Sequence, residues 1–263
     1  MFRDLVNKNV ITFTVDENYL PFAKILVNSI IKNSPDINIC GRFINCSDSD
    51  LNWFADKITI IKDNKELSKK RNLKTKQGLY ATDDFVYTNK TEVKPIKLFY
   101  SELIAYCSNI KFDTIFNLLK NDVKNVLYID VDSIIRGNLE SLFDNLNKND
   151  FCFFKDKPYT EQLDNNRLEG ANFLYHGGLI GVNNNNKTLS IIEKITNTVK
   201  DDIFDWDIDE RVLPDIINKS KKILNVKKTY KDEDLDSYSL LWSGSGKTKF
   251  NNDRYIDECK KYK

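Results

Sequence analysis

The sequence holds a single histidine, His176, among 263 residues. One imidazole cannot build a histidine-based metal cage, nor a catalytic triad that needs a second one. The five cysteines, Cys40, Cys46, Cys107, Cys152 and Cys259, are odd in number and never fall into a C-x-x-C pair. That excludes a zinc site of the usual spacing. It reads as reduced, mostly buried thiols in a reducing compartment, with the cytoplasm as the expected location. Charge of one sign is also missing. Lys and Arg number 40 against 39 Asp and Glu, so the net charge is +1 although 30% of residues are charged. This balance argues against general nucleic-acid binding and against a polybasic membrane anchor. No apolar run reaches membrane-spanning length, and MFRDLVNKNV at the start lacks the apolar centre of a signal peptide. A soluble chain without a transmembrane segment is expected.

Hydrophobic residues make up 41% of the chain, enough for one large domain or two small ones. Val10 to Val15 reads as a first strand. Pro21 sits where a first helical turn accepts proline, and Ala23, Ile25, Leu26, Ile30 and Ile31 follow at helical spacing. Ile37 to Ile44 and Ile58 to Ile61 read as strands, with a short helix over Asp48 to Phe54. This strand–helix–strand–helix–strand order is the sign of a parallel, nucleotide-binding half. Asp16, closing the first strand, is either a receiver of a base or ribose or a plain helix cap. Lys62 to Thr91, with Lys69, Lys70, Arg71, Lys74 and Lys76, is a solvated loop or a basic lid near a phosphate. Helices are expected over Pro95 to Ala105, Phe112 to Leu119 and Gly137 to Leu146, and a strand over Phe151 to Phe154. In the less regular second half, Phe173 to Val182 pairs an apolar strand with Gly177 and Gly178, where glycine lets something approach the backbone. Thr188 to Val199 is an amphipathic helix. Asp207 to Arg211 opens another, where Asp209 and Glu210 are ordinary dipole partners or site residues. No repeat or linker separates the halves.

The centre of the sequence is Asn125-Val-Leu-Tyr-Ile-Asp-Val-Asp-Ser-Ile-Ile-Arg-Gly137. The apolar run Val126 to Ile129 predicts a strand buried on both faces. Asp130 and Asp132 close it. On an extended backbone, residues two apart point to the same side, so the pair invites a divalent cation with oxygen ligands. The plainer alternative is an acidic turn after a core strand. Near the other end, Gly244-Ser-Gly-Lys-Thr248 suggests a P-loop. That motif needs a glycine five positions before Gly246, and Leu241 stands there. A glycine turn with a lysine still suits a phosphate.

In order and spacing these pieces resemble retaining glycosyltransferases of the GT-A fold, glycosyltransferase family 8, of the glycogenin and lipopolysaccharide galactosyltransferase type. The resemblance runs from Val10 to about Phe250. It implies an α/β fold with a Rossmann-like mixed central sheet flanked by helices, in a single domain. Residues 1–137 would form the nucleotide-sugar half and residues 138–263 the acceptor-side half. Phe13-Thr-Val-Asp-Glu-Asn-Tyr19 looks like the family's uridine-binding turn, which implies donor contacts from Thr14, Asp16 and Tyr19. Leu127 to Arg136 is similar to its D-x-D segment, implying donor contacts from Asp130, Val131 and Asp132, with both aspartates on Mn²⁺ or Mg²⁺. Lys111 stands where the family carries an arginine toward the donor. His176, Gly177 and Gly178 fall on its acceptor-side Asn-Ala-Gly. Asp209 and Glu210 fall on its Asp-Gln pair. Gly244 and Lys247 fall on its closing H-x-x-G-x-x-K, with Leu241 in place of the histidine that is the third metal ligand.

The implied activity is metal-assisted transfer of a hexose, glucose or galactose, from a UDP-sugar to a glycan or other hydroxyl acceptor, with retention. Lys247 and the N–H groups of Gly244 and Gly246 would stabilise the leaving diphosphate, and Lys111 would orient Asp130 or the phosphate. Asp209 would hold sugar hydroxyls or the acceptor, and Glu210 would support the cationic sugar or attack it. With Leu241 in the histidine position, the metal would rest on Asp130, Asp132, diphosphate and water. The same residues are compatible with a non-catalytic module that binds nucleotide or glycan. A sugar-1-phosphate nucleotidylyltransferase fits less well, since Val15 to Leu20 lacks the Gly-rich signature.

Overall fold

The computed structural model describes residues 2–69, 73–74, 81–82, 85–87, 93–94, 99–155, 175–205, 208–209, 212–213, 222–226, 241–243 and 248–263. Its principal strands are β1 (Asn9–Asp16), β2 (Asn38–Ile44), β3 (Thr59–Asp63), β4 (Asn125–Ile129), β5 (Ser133–Ile135), β6 (Phe151–Lys155), β7 (Tyr175–Asn183), β8 (Ile223–Val226) and β9 (Leu241–Ser243). Its helices are α1 (Leu20–Asn33), α2 (Asp48–Leu51), α3 (Glu102–Asn109), α4 (Lys111–Lys120), α5 (Glu140–Leu146), α6 (Asn186–Asp201), α7 (Thr248–Asn251) and α8 (Asp253–Lys260).

The main sheet has seven strands in the order β8-β6-β7-β4-β1-β2-β3. β4, β1, β2 and β3 are mutually parallel, whereas β7 runs antiparallel to both β4 and β6. The sheet is therefore mixed and flanked by helices, as expected for a GT-A fold. β5 and β9 make a separate antiparallel pair.

Alternation along β4 shows why its run of apolar residues is unbroken. Val126 and Tyr128 join the core on one face with Phe112, Ile115 and Leu118 of α4 and Ile192 and Ile195 of α6. Leu127 and Ile129 join the other, with Ala23, Leu26 and Ile30 of α1 and Phe143 and Leu146 of α5. A strand covered by helices on both faces has no side left for polar residues.

The α3 region departs from expectation. The helix read over Pro95 to Ala105 starts instead at Glu102, where the Ser101 side chain accepts the Ile104 N–H at 3.2 Å. It continues to Asn109, through residues read as a connection, and Phe99 and Tyr100 are extended. A serine cap followed by an acidic first-turn residue outweighed the preference for proline in a first turn. Residues 251–263, read as a short tail, carry α8. Its Tyr255 and Cys259, with Tyr262 just beyond, pack on Ile25 and Ile134.

Candidate active site

A cavity of about 510 Å³ opens where β1 and β4 end. Both strands are parallel, so their carboxyl ends lie on one edge of the sheet. From β1 the chain crosses to β2 on one side, while β4 lies on the other. Such a switch point leaves a crevice, and α/β proteins bind ligands there. The cavity is lined chiefly by Thr14 and Asp16 of β1 with Tyr19 just beyond it, by Tyr128, Asp130, Val131 and Asp132 around the end of β4, and by Leu103, Ile104 and Ser108 of α3. The sequence-derived donor set Thr14, Asp16, Tyr19, Asp130, Val131 and Asp132 thus meets in one place.

Asp16 is a cap in this structure. Its Oδ1 accepts the Asn18 N–H at 2.9 Å and starts the single 3₁₀ turn Glu17–Tyr19. It lines the cavity as well. Lys69, also in the lining, pairs with Glu17 at 2.5 Å through two solvent-facing side chains. Half of the segment read as a loop or lid, residues 62–91, lies outside the described residues.

The geometry of the acidic pair differs from expectation. β4 stops at Ile129, and Asp130 to Asp132 form a tight turn, closed by the Ser133 N–H donating to the Asp130 carbonyl at 3.0 Å. The Asp130 N–H is held by the Gly178 carbonyl of β7 at 3.0 Å. The turn, and not an extended backbone, brings both carboxylates to one cavity. They are not equivalent. Asp130 is half-buried, and its carboxylate has no hydrogen bond or ion pair among the described residues. Asp132 is buried, and its Oδ2 lies 2.6 Å from the Lys249 ammonium, whose side chain is 7% exposed. Burial, then the Asp130 charge, push the Asp132 carboxyl up to about 6, with Lys249 pulling the other way. Burial works against the Lys249 charge, but Asp132 and then Tyr19 outweigh it, leaving its pKa above the ordinary lysine value. The Tyr255 hydroxyl donates to the Asp132 carbonyl at 2.5 Å and ties the turn to α8.

Lys111 opens α4 and is not among the residues that line the cavity. Its ammonium lies 2.6 Å from Asp209 Oδ2, 3.0 Å from the Gly177 carbonyl and 5.3 Å from the centre of the Tyr128 ring. Lys111 and Asp209 are both buried, 3% and 6% exposed at the side chain, behind Tyr128. In this structure the described ion-pair partner of Lys111 is Asp209. Gly177 explains itself here: a Cβ would stand 2.5 Å from Asp209 Oδ2 and 2.6 Å from Lys111 Nζ. Gly178 contributes the carbonyl that holds Asp130. His176 pairs with Phe154 across β7 and β6, and its side chain lies outside the described residues. So do Glu210, Gly244, Gly246 and Lys247. Leu241 is placed by backbone alone, opposite Ile135, and Ser243 lies opposite Ser133. The first residues of the segment read as the closing motif form β9, which pairs with β5 just after the acidic turn.

A divalent cation has a partial set of ligands. No three His, Cys, Asp or Glu side chains converge among the described residues, and leucine cannot ligate. Asp130 is open, and Asp132 keeps one oxygen beyond Lys249. These are hard oxygen donors that suit Mn²⁺ or Mg²⁺ once phosphate and water complete the shell.

The model of glycosyl transferase family 8 matches residues 10–201, most of the chain. The chain belongs to glycosyltransferase family 8. Family members typically use nucleotide-sugar donors and a divalent metal. The match covers β1, α4 and the acidic turn, and stops before Asp209 and Lys249. Solved structures agree on the GT-A fold. The galactosyltransferase LgtC, in complex with donor and acceptor sugar analogues, aligns over 96% of this chain and 95% of its own, with 14% identity and a TM-score of 0.59. The glycosyltransferase GlyE of Streptococcus pneumoniae TIGR4 aligns over 97% of this chain and 60% of its own, with 14% identity and a TM-score of 0.58. An active-site mutant of LgtC aligns over 96% and 95%, with 15% identity and a TM-score of 0.53. A search of curated protein sequences finds no match. Among the described residues of this family 8 transferase, no helix is long and apolar enough to cross a membrane.

Sequence reasoning missed Lys249, Tyr255 and Arg42. The signal for Lys249 was its place two residues after Lys247, in the segment already singled out. The signal for Tyr255 was its spacing with Cys259 and Tyr262. Arg42, in β2, binds Asp63 at 2.6 Å and Asp113 at 2.7 Å, and the Tyr106 hydroxyl donates to the same Asp63 at 2.9 Å. This largely buried network ties β2 and β3 to α4 and to α3, which lines the cavity.

Proposed function

We propose that this chain transfers a hexose, glucose or galactose, from a UDP-sugar to a hydroxyl of a glycan or similar acceptor, with retention of anomeric configuration. The observation that supports this reading best is the family 8 cavity at the β1/β4 switch point, lined by Asp16 and Tyr19 on the nucleotide side and by Asp130 and Asp132 on the phosphate side. Its volume of about 510 Å³ lies within the range of small-molecule sites. In the reaction the bond between C1 of the sugar and the β-phosphate oxygen breaks, and the electron pair leaves on the diphosphate. The acceptor oxygen bonds to C1, its proton passes to the departing phosphate, and the products are the hexosylated acceptor and UDP.

Tyr19 and Asp16 would receive the nucleoside, and Asp130 and Asp132 would hold the cation. Bound there, a divalent cation would supply Lewis-acid neutralisation of the diphosphate. Lys247 with Gly244 and Gly246 would meet the growing negative charge of the leaving group. The Lys111–Asp209 pair, seated on Gly177, would fix the segment that carries Glu210, to which we assign the sugar's cationic face. His176, Gly177 and Gly178 would border the acceptor.

A donor screen tests the reading. UDP-sugars should raise the melting temperature in the presence of Mn²⁺, GDP- and CMP-sugars should not, and slow release of UDP should follow without acceptor. Stabilisation without UDP release would identify a binding module. Stabilisation by no UDP-sugar would end the proposal.

A further inference from the structure

The Lys249 ammonium sits in a built cation site. Asp132 Oδ2 is 2.6 Å away, and three aromatic rings surround the charge: Tyr19 at 4.6 Å, Phe22 at 5.6 Å and Phe250 at 5.8 Å from their centres. Rings at such distances attract a cation through their negative faces. Both charged side chains are buried, 7% and 11% exposed, so the pair is weakly screened. The rings also fix its place. Tyr19 and Phe22 pack on each other at 5.7 Å, Phe22 meets Phe250 at 5.9 Å, and Tyr19 lines the donor cavity. The acidic turn therefore presents one open carboxylate, Asp130, and one that already carries a cation.

We propose that Lys249 is an internal counter-ion of the donor site. It positions Asp132 and withholds one of its oxygens, so that a divalent cation binds the turn only together with the diphosphate. The inference rests on the reading of Asp130 and Asp132 as the cation-holding pair. Two oxygens of a carboxylate can serve two cations only at the cost of their mutual repulsion, which falls off slowly in a buried site. A cation arriving alone meets that repulsion and brings no ligands. A cation arriving with nucleotide brings phosphate oxygens that offset it. Lys249 thus orders the assembly of the donor complex: it suppresses binding of free metal and leaves binding of metal with nucleotide.

The test is titration of Mn²⁺ into nucleotide-free protein, followed by the paramagnetic resonance signal of the free ion, with calorimetry of UDP binding alongside. Wild type should bind Mn²⁺ weakly, and UDP should tighten it. Lys249→Met keeps the stem among the rings and removes the charge. It should bind Mn²⁺ without nucleotide at least about tenfold more tightly than wild type. Lys249→Arg should keep the wild-type weakness, and Asp132→Asn with Lys249→Met should lose the gain. Equal Mn²⁺ affinity in wild type and a folded Lys249→Met protein overturns the inference. So does tight Mn²⁺ binding by nucleotide-free wild type, which needs no variant to observe. UDP that binds neither protein overturns the donor reading, while the nucleotide-free titration still decides the part played by Lys249.

Discussion

Gly177→Ala is the most direct probe of the ion pair behind the cavity. The added methyl would lie 2.5 Å from Asp209 Oδ2 and 2.6 Å from Lys111 Nζ, about an ångström inside ordinary contact. Both atoms end flexible side chains, so the clash can be relieved by movement. The movement is costly because neither side chain has water to move into: they are 3% and 6% exposed. Displacing the amine loses its bond to the Gly177 carbonyl at 3.0 Å or lengthens the contact with Asp209 at 2.6 Å. Losing one hydrogen bond to a charged group costs about 1.5–3 kcal/mol, and breaking a buried pair outright about 3–5 kcal/mol. We expect a destabilisation of about 2–4 kcal/mol, between those limits, or roughly 4–16 °C in melting temperature for a domain of this size. Urea unfolding at neutral pH measures it. The reasoning makes a second demand. In a Lys111→Ala background one of the two contacts is gone and Asp209 can swing into the vacated space, so Gly177→Ala should cost far less there. A variant within about 0.5 kcal/mol of wild type, or additive costs in the double variant, would refute the close approach.

Asp130→Asn should weaken UDP-sugar binding by about tenfold or more, measured by calorimetry, while leaving thermal stability unchanged or slightly raised, because it removes a charge that repels Asp132. Arg42→Ala leaves Asp63 and Asp113 without their shared cation and should cost about 3–5 kcal/mol in urea unfolding. The pH dependence has a definite sign. Burial pushes Asp113 up, but Arg42 and then Lys200 outweigh it and hold its pKa below the ordinary carboxylate value. Its contribution to stability is therefore present above the unfolded-state pKa and is lost as pH falls through the lower folded value. Arg42→Ala should flatten that acid limb, and an unchanged slope would contradict the assignment. Tyr255→Phe removes the donor to the Asp132 carbonyl and should cost about 0.5–1.5 kcal/mol. It should also lower UDP-sugar affinity, and an effect on stability alone would make Tyr255 a packing residue only.

The strands around the site were legible because each carries a pattern that physics allows few ways to satisfy. An unbroken apolar run such as Val126 to Ile129 has to be covered on both faces, and α4, α6, α1 and α5 cover it. The parallel half followed from strands alternating with amphipathic helices. Gly177 was legible as a place of close approach, but what approaches was not, since Lys111 lies 66 residues away along the chain. The acidic pair was found for an incomplete reason. Two residues apart on a strand face one side, yet these sit in a turn whose closure depends on local hydrogen bonds that sequence does not display. Lys249 was hidden for the plainest reason: 117 residues separate it from Asp132. Its place two residues after Lys247 marked the segment, but a local window does not show a partner that far off. The α3 start was misplaced because a proline and a serine cap compete as helix openers, and only the hydrogen bond from Ile104 decides.

The place of β1 in the sheet has a consequence for how the chain is made. One edge of β1 pairs with β2, which follows closely in the sequence, and the other pairs with β4. Asn9 and Asn125, which meet across that second edge, are 116 residues apart. At a synthesis rate of about 5–20 residues per second, the gap lasts roughly 6–23 seconds on the ribosome. Throughout that interval Val10, Ile11 and Phe13, wholly buried in the finished protein, belong to a strand with one bare hydrogen-bonding edge. The nascent chain is most open to mispairing at the strand that later lines the cavity, and chaperone capture during synthesis should be strongest before residue 129 emerges.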